Sequence, residues 1–296
     1  MSVFSVTDSA HMARALQLAV RGTYTARPNP LVGCVIAKGE RIIGEGWHQR
    51  AGDDHAEINA LRACGDEAEG ATAYVTLEPC AHHGKTPPCA DALIASKVRR
   101  VVAAMKDPFD QVSGRGLDKL AAAGVATDVG MMEAAARALN EGFISRVTRG
   151  LPFVRLKVAA SIDGATAMTS GESQWITGPA AREDVQELRA RSGAIMTGIG
   201  TVLADDPALN VRSERLVDAA LQPLRVVLDS QLRTPPSAAM LKLPGDTMVC
   251  CCGDRDGSEL AEAGAEVRFF AQKDAGVDVA AVLQYLAERQ INDVLV

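Results

Sequence analysis

The chain of 296 residues contains no run of 18 or more uncharged apolar residues, which argues against a membrane-spanning helix. Its first residues lack the basic segment followed by an apolar stretch that marks a secretory signal, so the cytoplasm is the expected location. Aromatic residues make up only 4% of the chain, although 47% of it is apolar. The core is therefore expected to be mainly aliphatic, as it is in α/β proteins.

Clusters of positive charge are also scarce. The formal net charge is −6, and the acidic excess lies in residues 151–296. The one short basic cluster, residues 97–100, is expected to be a solvated face. Nucleic-acid binding needs clustered positive charge, so a small-molecule partner is predicted instead. The charge difference between the halves favours two domains, as does a length of about 150 residues per domain.

Two common nucleotide-binding motifs are missing. The best match to Gly-x-Gly-x-x-Gly begins at Gly198 but has Leu203 in place of the third glycine. A phosphate-binding loop around Lys85 would need glycine at position 79, where the chain has Pro79. Neither a Rossmann fingerprint nor a P-loop is therefore predicted.

The seven cysteines are an odd number, which is typical of a reducing compartment rather than of a disulfide-bonded scaffold. Residues 250–252 are three adjacent cysteines in an apolar strand. Neighbouring side chains of a strand point to opposite faces, so these three cannot chelate one metal ion. We interpret them, and Cys34 in a similar strand, as core residues. Cys80 and Cys89 lie in a different context.

The hydrophobic pattern predicts an α/β protein with two domains, residues 1–149 and 150–296, joined near Pro152. Alternating strands and helices predict a parallel sheet in the second domain. A glycine-rich turn is expected at 198–206. The predicted helices are 8–20, 55 onward, 89–96, 116–123, 131–139, 179–191 and 278–288. Asp8-Ser9 is expected to cap the first of them. In the second, Ile58, Ala60 and Leu61 are expected to face inward. The predicted strands are 31–37, 41–47, 73–77, 98–105, 153–160, 194–199, 224–228, 247–251, 266–270 and 292–296.

A metal site is predicted in the first domain from His55, Cys80 and Cys89. One imidazole and two thiolates are ligands that suit zinc and leave a fourth tetrahedral position for water. Glu57 follows the histidine by two residues at the start of a helix, where it can reach that water without being a ligand. His-x-Glu followed by Pro-Cys and a further Cys is the signature of zinc-dependent deaminases. In that reading, Glu57 carries protons from the water to a ring nitrogen and to the departing ammonia.

Each of these residues alone has an ordinary structural explanation, since single histidines and buried cysteines are common. Their convergence on one sheet end makes that explanation poor. The spacing also departs from the usual Cys-x-x-Cys, because eight residues separate Cys80 from Cys89. This departure disfavours a nucleobase or tRNA deaminase with an accessory domain, which remains the alternative. A non-catalytic, zinc-stabilised binding module is a second alternative.

The segments 48–57 and 79–89 resemble the bifunctional pyrimidine deaminase/reductase family of riboflavin biosynthesis, and the resemblance extends over essentially the whole chain. It implies a cytidine-deaminase-like α/β/α first domain. It assigns the zinc ligands to His55, Cys80 and Cys89 and the proton shuttle to Glu57. Family motif segments also include four possible substrate contacts, for which ordinary loop roles stay open: Asn29, His48, His82 and Lys85.

The same resemblance covers the second domain through segments 156–164, 173–177 and 200–212. It implies a dihydrofolate-reductase-like α/β fold that uses NADPH. The implied cofactor contacts are Ala159, Trp175, Thr201, Asp205 and Ser230. The implied substrate contacts are Ser173, Arg189, Leu209 and Arg212, and Lys157 could polarise the sugar carbonyl. Two arginines can grip a phosphate, although Arg189 could also be a solvated residue, Trp175 a core residue and Lys157 an ion-pair partner.

The predicted enzyme deaminates 2,5-diamino-6-ribosylamino-4(3H)-pyrimidinone 5′-phosphate and then reduces its ribosyl side chain to ribityl. The resemblance also implies a homodimer or a higher homo-oligomer. Family members continue past the last predicted strand with a Glu-Gly-Gly turn, a helix and further strands. The sequence is therefore expected to be truncated in its second domain, by about 60 residues within the two-domain length range.

Overall fold

A computed structural model of the chain describes residues 4–81, 88–109, 113–216 and 221–296. Contacts divide the chain into two compact units, Met1–Arg149 and Gly150–Val296. Both units are α/β, which confirms the predicted fold class. Among the described residues, no helix combines the length and apolar character needed to cross a membrane.

The first unit is built around one mixed sheet. Its helices are α1 (Val6–Val20), α2 (Ala56–Cys64), α3 (Cys89–Ala95), α4 (Arg115–Ala122), α5 (Glu133–Leu139) and α6 (Glu141–Arg149). Its strands are β1 (Gly33–Lys38), β2 (Arg41–Trp47), β3 (Thr72–Val75), β4 (Arg100–Ala103) and β5 (Ala126–Val129). The strand order is β2-β1-β3-β4-β5. Strand β1 pairs antiparallel with β2 and β3, whereas β3, β4 and β5 are parallel.

The core of this unit lies on both faces of the sheet. Strand β1 alternates between them, because Cys34 packs with α2, α3 and α4 while the next residue, Val35, packs with α1 and α5. This period-2 alternation is the geometry of a strand that is buried on both sides. The strands predicted at 31–37 and 41–47 are present and form an antiparallel hairpin, whose turn uses Gly39 at a φ of +61°.

Two local predictions for this unit are wrong, and one of its helices was not predicted. Ser5, rather than Asp8-Ser9, caps α1, because Ser5 and Asp8 form a reciprocal capping box. In α2, Ala60 is buried and the half-buried Leu61 packs against the core, as expected, but Ile58 is half-buried without a place in that core. The face of α2 that touches the sheet is made of smaller residues, since the helix lies directly on the backbone of β2. Helix α6 was not predicted.

The second unit contains a fully parallel main sheet, which confirms the prediction from alternating strands and helices. Its helices are α7 (Pro179–Arg191), α8 (Ile199–Asp205), α9 (Ser258–Glu262) and α10 (Val279–Glu288). Its strands are β6 (Phe153–Arg155), β7 (Ala194–Gly198), β8 (Leu224–Leu228), β9 (Thr247–Cys252), β10 (Ala265–Phe270), β11 (Gln272–Lys273), β12 (Gly276–Val277) and β13 (Asp293–Leu295). The main sheet has the order β10-β9-β8-β7-β13-β6, and β11 pairs with β12.

Three features of this unit bear on the sequence predictions. The strand expected at 153–160 ends at Arg155. The segment 198–206, expected to be a turn, forms helix α8 directly after β7. Residues 250–252 are all buried in β9. Cys250 and Cys252 share one hydrophobic cluster that does not include Cys251, as the alternation of a strand requires.

A buried carboxylate network ties α1 to the sheet of the first unit. Asp8 accepts hydrogen bonds from the Tyr74 hydroxyl and the Arg100 guanidinium, both at 2.7 Å, and from the Ser5 amide at 2.9 Å. Burial raises the pKa of Asp8, but these hydrogen bonds from Ser5, Tyr74 and Arg100 lower it more strongly, so the net pKa lies well below its ordinary value. The ionised form is therefore the one that stabilises the fold.

We expect Asp8→Asn to lower the free energy of unfolding at pH 7 by about 2 kcal/mol. A depressed folded-state pKa stabilises above the ordinary pKa of the group and is lost as the pH falls towards the folded value. The difference between wild type and variant should therefore shrink below about pH 4, which urea denaturation at several pH values measures. The control, Glu133→Gln, removes an exposed ion pair with Arg137 and should cost under about 0.5 kcal/mol. A difference that is constant with pH would contradict this assignment.

Candidate functional site

Three predicted metal ligands meet where α2, α3 and the end of β3 converge. His55 is the N-cap of α2, Cys89 is the first residue of α3, and Cys80 follows β3. The His55 Nδ1 atom lies 3.6 Å from the Cys80 Sγ atom and 3.4 Å from the Cys89 Sγ atom. All three ligand atoms lie within 4.8 Å of one another. The structure thus brings together residues that are 34 positions apart in the chain.

This geometry fits a tetrahedral zinc ion. Bond lengths of about 2.3 Å to sulfur and 2.0 Å to nitrogen place the sulfur and nitrogen ligands of one zinc ion about 3.5 Å apart. The two distances from His55 Nδ1 bracket that value. Nitrogen and sulfur donors also favour zinc over magnesium or calcium, which prefer oxygen.

The two thiols share their protons unequally. A hydrogen bond with the Cys89 thiol is the main cause that lowers the pKa of Cys80 to about 4, and His55 and the Cys89 backbone N–H add to it. The Cys89 N–H donates to Cys80 Sγ at 3.3 Å. The adjacent Cys80 and burial raise the pKa of Cys89. The lowered pKa of Cys80 favours its thiolate form, which is the form that binds a metal cation.

Glu57 lies on the first turn of α2, and only 4% of its surface is exposed. Burial raises the pKa of its carboxyl to about 7, although the nearby His55 opposes this rise. A carboxyl whose pKa lies near neutrality can both accept and release a proton at physiological pH. Its place beside the ligand cluster is what a proton shuttle requires.

A cavity of about 320 Å³ opens onto this cluster. It is lined by His55, Glu57 and Cys80, and by Asn29 and His48 of the predicted substrate contacts. The Asn29 side-chain amide lies 3.0 Å from His48 Nε2, while His48 Nδ1 lies 3.2 Å from the Asp54 carbonyl. These two contacts assign the proton to Nδ1, and burial lowers the pKa of His48, which favours the neutral ring. Two further predicted contacts, His82 and Lys85, lie outside the described residues.

The sequence reasoning missed part of the cavity wall. The wall also includes Glu78, Asp107, Phe109, Phe143 and Arg146. Phe143 and Arg146 come from α6, which was not predicted at all. A signal for Glu78 was present in the sequence, because a carboxylate directly after a buried strand needs hydrogen-bond partners at the sheet end.

A second cavity, of about 430 Å³, lies in the second unit. It brings together four predicted residues: Lys157, Trp175, Arg189 and Arg212. Arg182 also lines it, with its guanidinium 4.5 Å from the centre of the Trp175 ring. Trp175 is 68% exposed, which excludes the core role that the sequence left open. Four cationic side chains around one cavity favour an anionic ligand.

The burial and hydrogen bonding of Arg189 favour an anionic ligand. Burial, with the like charge of Arg212, lowers the pKa of Arg189 to about 10. Its Nη1 donates to the Asn210 carbonyl at 3.1 Å, but its buried Nε has no hydrogen-bond partner among the described residues. A phosphate oxygen would satisfy such a donor. The segment that carries Arg212 is fixed by Gln186, whose Oε1 accepts the Arg212 N–H at 3.0 Å.

The other residues predicted in this unit do not line that cavity. Leu209 is buried in the core under α8, whereas Thr201 and Asp205 lie exposed on α8 itself. Ser230 follows β8, and β7 and β8 are adjacent and parallel, so Thr201 and Ser230 follow the carboxyl ends of neighbouring strands. Ligands of parallel sheets bind at that edge. The two remaining predicted contacts, Ala159 and Ser173, lie in the segment that follows β6.

Comparison with protein families gives one match in each unit. Residues 5–105 match the cytidine and deoxycytidylate deaminase zinc-binding region. Residues 152–296 match the RibD C-terminal domain. The two matched regions contain the ligand cluster and the cation-lined cavity, respectively.

Relatives cover nearly the whole chain. The riboflavin biosynthesis protein RibD of Escherichia coli is 50% identical over 98% of this chain and 81% of its own. RibD of Aquifex aeolicus is 41% identical over 98% of this chain and 80% of its own. Among solved structures, RibD of Acinetobacter baumannii superposes with a TM-score of 0.89 at 49% identity, covering 98% of this chain and 80% of that one. A deaminase/reductase of Thermotoga maritima superposes with a TM-score of 0.86 at 37% identity, with the same coverage.

The ligand cluster predicts one tightly bound zinc ion in the first unit. Cys89→Ser should lower the zinc affinity at least tenfold, because a hydroxyl replaces a thiolate ligand. Competition with a chromogenic chelator measures this affinity. The control is Cys251→Ser, since Cys251 belongs to the second unit and donates to the Arg268 carbonyl, which a serine can also do. Equal zinc affinity in the two variants would contradict the site.

Proposed function

The chain belongs to the RibD family of riboflavin biosynthesis, and we propose that it is a bifunctional deaminase and reductase. The proposed first reaction is hydrolytic deamination of 2,5-diamino-6-ribosylamino-4(3H)-pyrimidinone 5′-phosphate. The proposed second reaction is NADPH-dependent reduction of the ribosyl side chain to ribityl. The observation that carries this proposal is the pairing of a His/Cys/Cys cluster and buried Glu57 in one unit with a cation-lined cavity in the other.

In the proposed deaminase, residues 1–149, zinc is held by His55, Cys80 and Cys89. When bound, it supplies a Lewis acid that lowers the pKa of water towards neutrality. Glu57 accepts a proton from water at its carboxylate and passes it to a ring nitrogen, and it then carries a second proton, from the hydroxyl that has added to the ring carbon, to the leaving amine. Its near-neutral pKa suits both steps. The neutral His48, whose Nε2 accepts from the Asn29 side-chain amide, lines the cavity together with Asn29, and we place both residues, with His82 and Lys85, among the substrate contacts.

In the proposed reductase, residues 150–296, Arg189 and Arg212 bind the substrate phosphate. Lys157 lines the same cavity, where its ammonium can polarise the sugar carbonyl. The nicotinamide cofactor, when bound, supplies the hydride. We propose Trp175, Thr201, Asp205, Ser230 and Ala159 as its contacts, with Ser173 and Leu209 on the substrate side.

The proposal extends to location in the cytoplasm and to assembly as a homo-oligomer. The seven cysteines are all free thiols, as expected for a protein of the cytoplasm. A homodimer or higher homo-oligomer rests on the family resemblance alone. Light scattering after size-exclusion chromatography tests it directly, and a monomeric mass would overturn it.

Replacing Glu57 tests the deaminase mechanism. Glu57→Gln should reduce kcat for ammonia release by a factor of about 10²–10⁴, because the amide cannot shuttle a proton. Zinc content, measured by atomic absorption, should stay at one ion per chain, since Glu57 is not a ligand in this proposal. The matched control is Glu67→Gln, an exposed carboxylate paired with Arg41, which should retain full activity.

The outcomes also separate the alternatives. Ammonia release that survives Glu57→Gln unchanged would contradict the mechanism. A zinc-loaded wild type that deaminates cytidine or tRNA but not the phosphorylated diaminopyrimidinone would favour a nucleobase deaminase. Zinc binding without any deamination would favour a binding module.

Replacing Arg212 tests the second cavity. Arg212→Gln should raise the dissociation constant for the deaminated substrate at least tenfold, since a charge-assisted hydrogen bond to phosphate contributes about 1.5–3 kcal/mol. Calorimetric titration measures this constant without catalysis. Arg191→Gln is the control, because Arg191 is an exposed arginine at the end of α7 and does not line the cavity. Equal loss in both variants would exclude a specific phosphate site.

A further inference from the structure

Glu78 is a buried carboxylate that the zinc cluster and the proton shuttle do not use. It lies two residues before Cys80, lines the 320 Å³ cavity and is only 3% exposed. Among the described residues, no cationic side chain forms an ion pair with it. A buried carboxylate without a counter-ion is costly unless hydrogen bonds compensate for its lost hydration.

Backbone N–H groups provide that compensation. Glu78 Oε2 accepts from the amides of Asp107 at 3.1 Å and Gly114 at 2.9 Å. Glu78 Oε1 accepts from the amides of Gly116 at 2.9 Å and Leu117 at 3.4 Å. Both oxygens are thus occupied, each by two donors. A carboxylate can accept all four of these bonds, whereas an amide offers only one accepting oxygen.

These four donors belong to two segments, one that precedes α4 and one that contains its first residues. The first, residues 106–109, contributes Asp107 and Phe109 to the cavity wall. The second, residues 113–117, contains Gly116, where an added Cβ would lie 1.8 Å from the Pro79 carbonyl oxygen. The backbone around α4 therefore approaches the residue between Glu78 and Cys80 so closely that only glycine fits. Glu78 joins the ligand segment to the wall of the cavity.

We propose that Glu78 is a positioning residue of the deaminase, which fixes residues 106–109 against the cavity and thereby sets the affinity for the pyrimidine substrate. Its oxygens are engaged by backbone donors, so it is not a second proton shuttle. Within the described part of the chain, the hydrogen-bond partners of its carboxylate are the amides of residues 107, 114, 116 and 117 and not the metal ligands, so we expect its substitution to leave the ligand cluster in place. The inference rests on the deaminase proposed above.

The test compares Glu78→Gln with wild type in the full chain. An amide nitrogen must replace one accepting oxygen, so one pair of backbone donors loses its partner. We expect KM for the diaminopyrimidinone phosphate to rise at least tenfold, kcat to change by less than about threefold, and zinc content to stay the same. Amide hydrogen exchange at Asp107, Gly114 and Gly116 should accelerate, which reports the loss of the bonds independently of activity.

The Glu57→Gln variant gives the opposite pattern, a loss of kcat, and so serves as the reference for a proton-shuttle defect. A fall in kcat of similar size for Glu78→Gln, a loss of zinc, or unchanged KM and exchange would each overturn the proposal. Wild-type turnover in the same assay tests the deaminase itself, so the two failures can be distinguished.

A second variant keeps the carboxylate and moves its partners. Gly116→Ala places a Cβ against the Pro79 carbonyl and should displace residues 113–117 from Glu78. It should raise KM in the same direction and accelerate exchange at Gly114, with zinc retained. If Glu78→Gln does not fold, this variant decides, and an unchanged KM would overturn the proposal.

Discussion

The deaminase site depends on how closely helix α2 lies on strand β2. A Cβ at Gly46 would lie 2.3 Å from the Ala56 carbonyl oxygen, and one at Gly44 would lie 2.3 Å from the Ala60 carbonyl oxygen. The helix therefore rests on bare backbone, and no larger residue is tolerated on either strand position without movement. Because the first turn of α2 carries Glu57 and its N-cap is His55, this contact fixes both groups relative to the sheet. The two other ligands are placed by their own elements, since Cys80 follows β3 and Cys89 is the first residue of α3.

Three buried carboxylates in this unit behave differently because their surroundings differ. Asp8 receives a guanidinium, a hydroxyl and a backbone amide, which hold its pKa low and make it a structural anchor. Glu78 receives four backbone amides, which favour a fixed orientation. Glu57 is dominated by burial, and its pKa rises to about 7. A pKa near neutrality is the property that general acid–base chemistry needs, and burial gives it to Glu57.

The cavity of the second unit is lined by cationic side chains although the unit as a whole is acidic. These side chains are Lys157, Arg182, Arg189 and Arg212. Glu183 lines the same cavity, and its carboxylate accepts from the Ser213 hydroxyl and lies near Arg215. Net charge therefore says little about ligand preference, since the local field of a few oriented side chains decides it. The buried Nε of Arg189, which has no hydrogen-bond partner among the described residues, also favours an anionic ligand.

The sequence predicts those site residues that lie close to a recognisable helix start or strand end, and it does not predict those that reach the site through contacts between distant segments. His55 and Glu57 share one helix start, and Cys80 directly follows a strand, so spacing alone places them at one sheet end. The helix 179–191 was predicted with its observed bounds, because Pro179 marks its first turn. By contrast, Phe143 enters the cavity from α6, whose sequence carries no motif and whose contact partners lie far away in the chain. Packing over such distances is fixed by the complete sheet and not by any local pattern.

Glu78 lies between these two cases. Its position before Pro79 is visible in the sequence. The four backbone amides that donate to its carboxylate, at positions 107, 114, 116 and 117, come after β4, and the parallel pairing of β3 and β4 brings them near. That pairing brings the ends of the two strands to one edge, where the Glu78 amide itself donates to the Met105 carbonyl at 3.0 Å. The carboxylate then organises the segment that follows β4. A residue adjacent to a recognisable ligand thus acquires its role from a strand that the ligand motif does not contain.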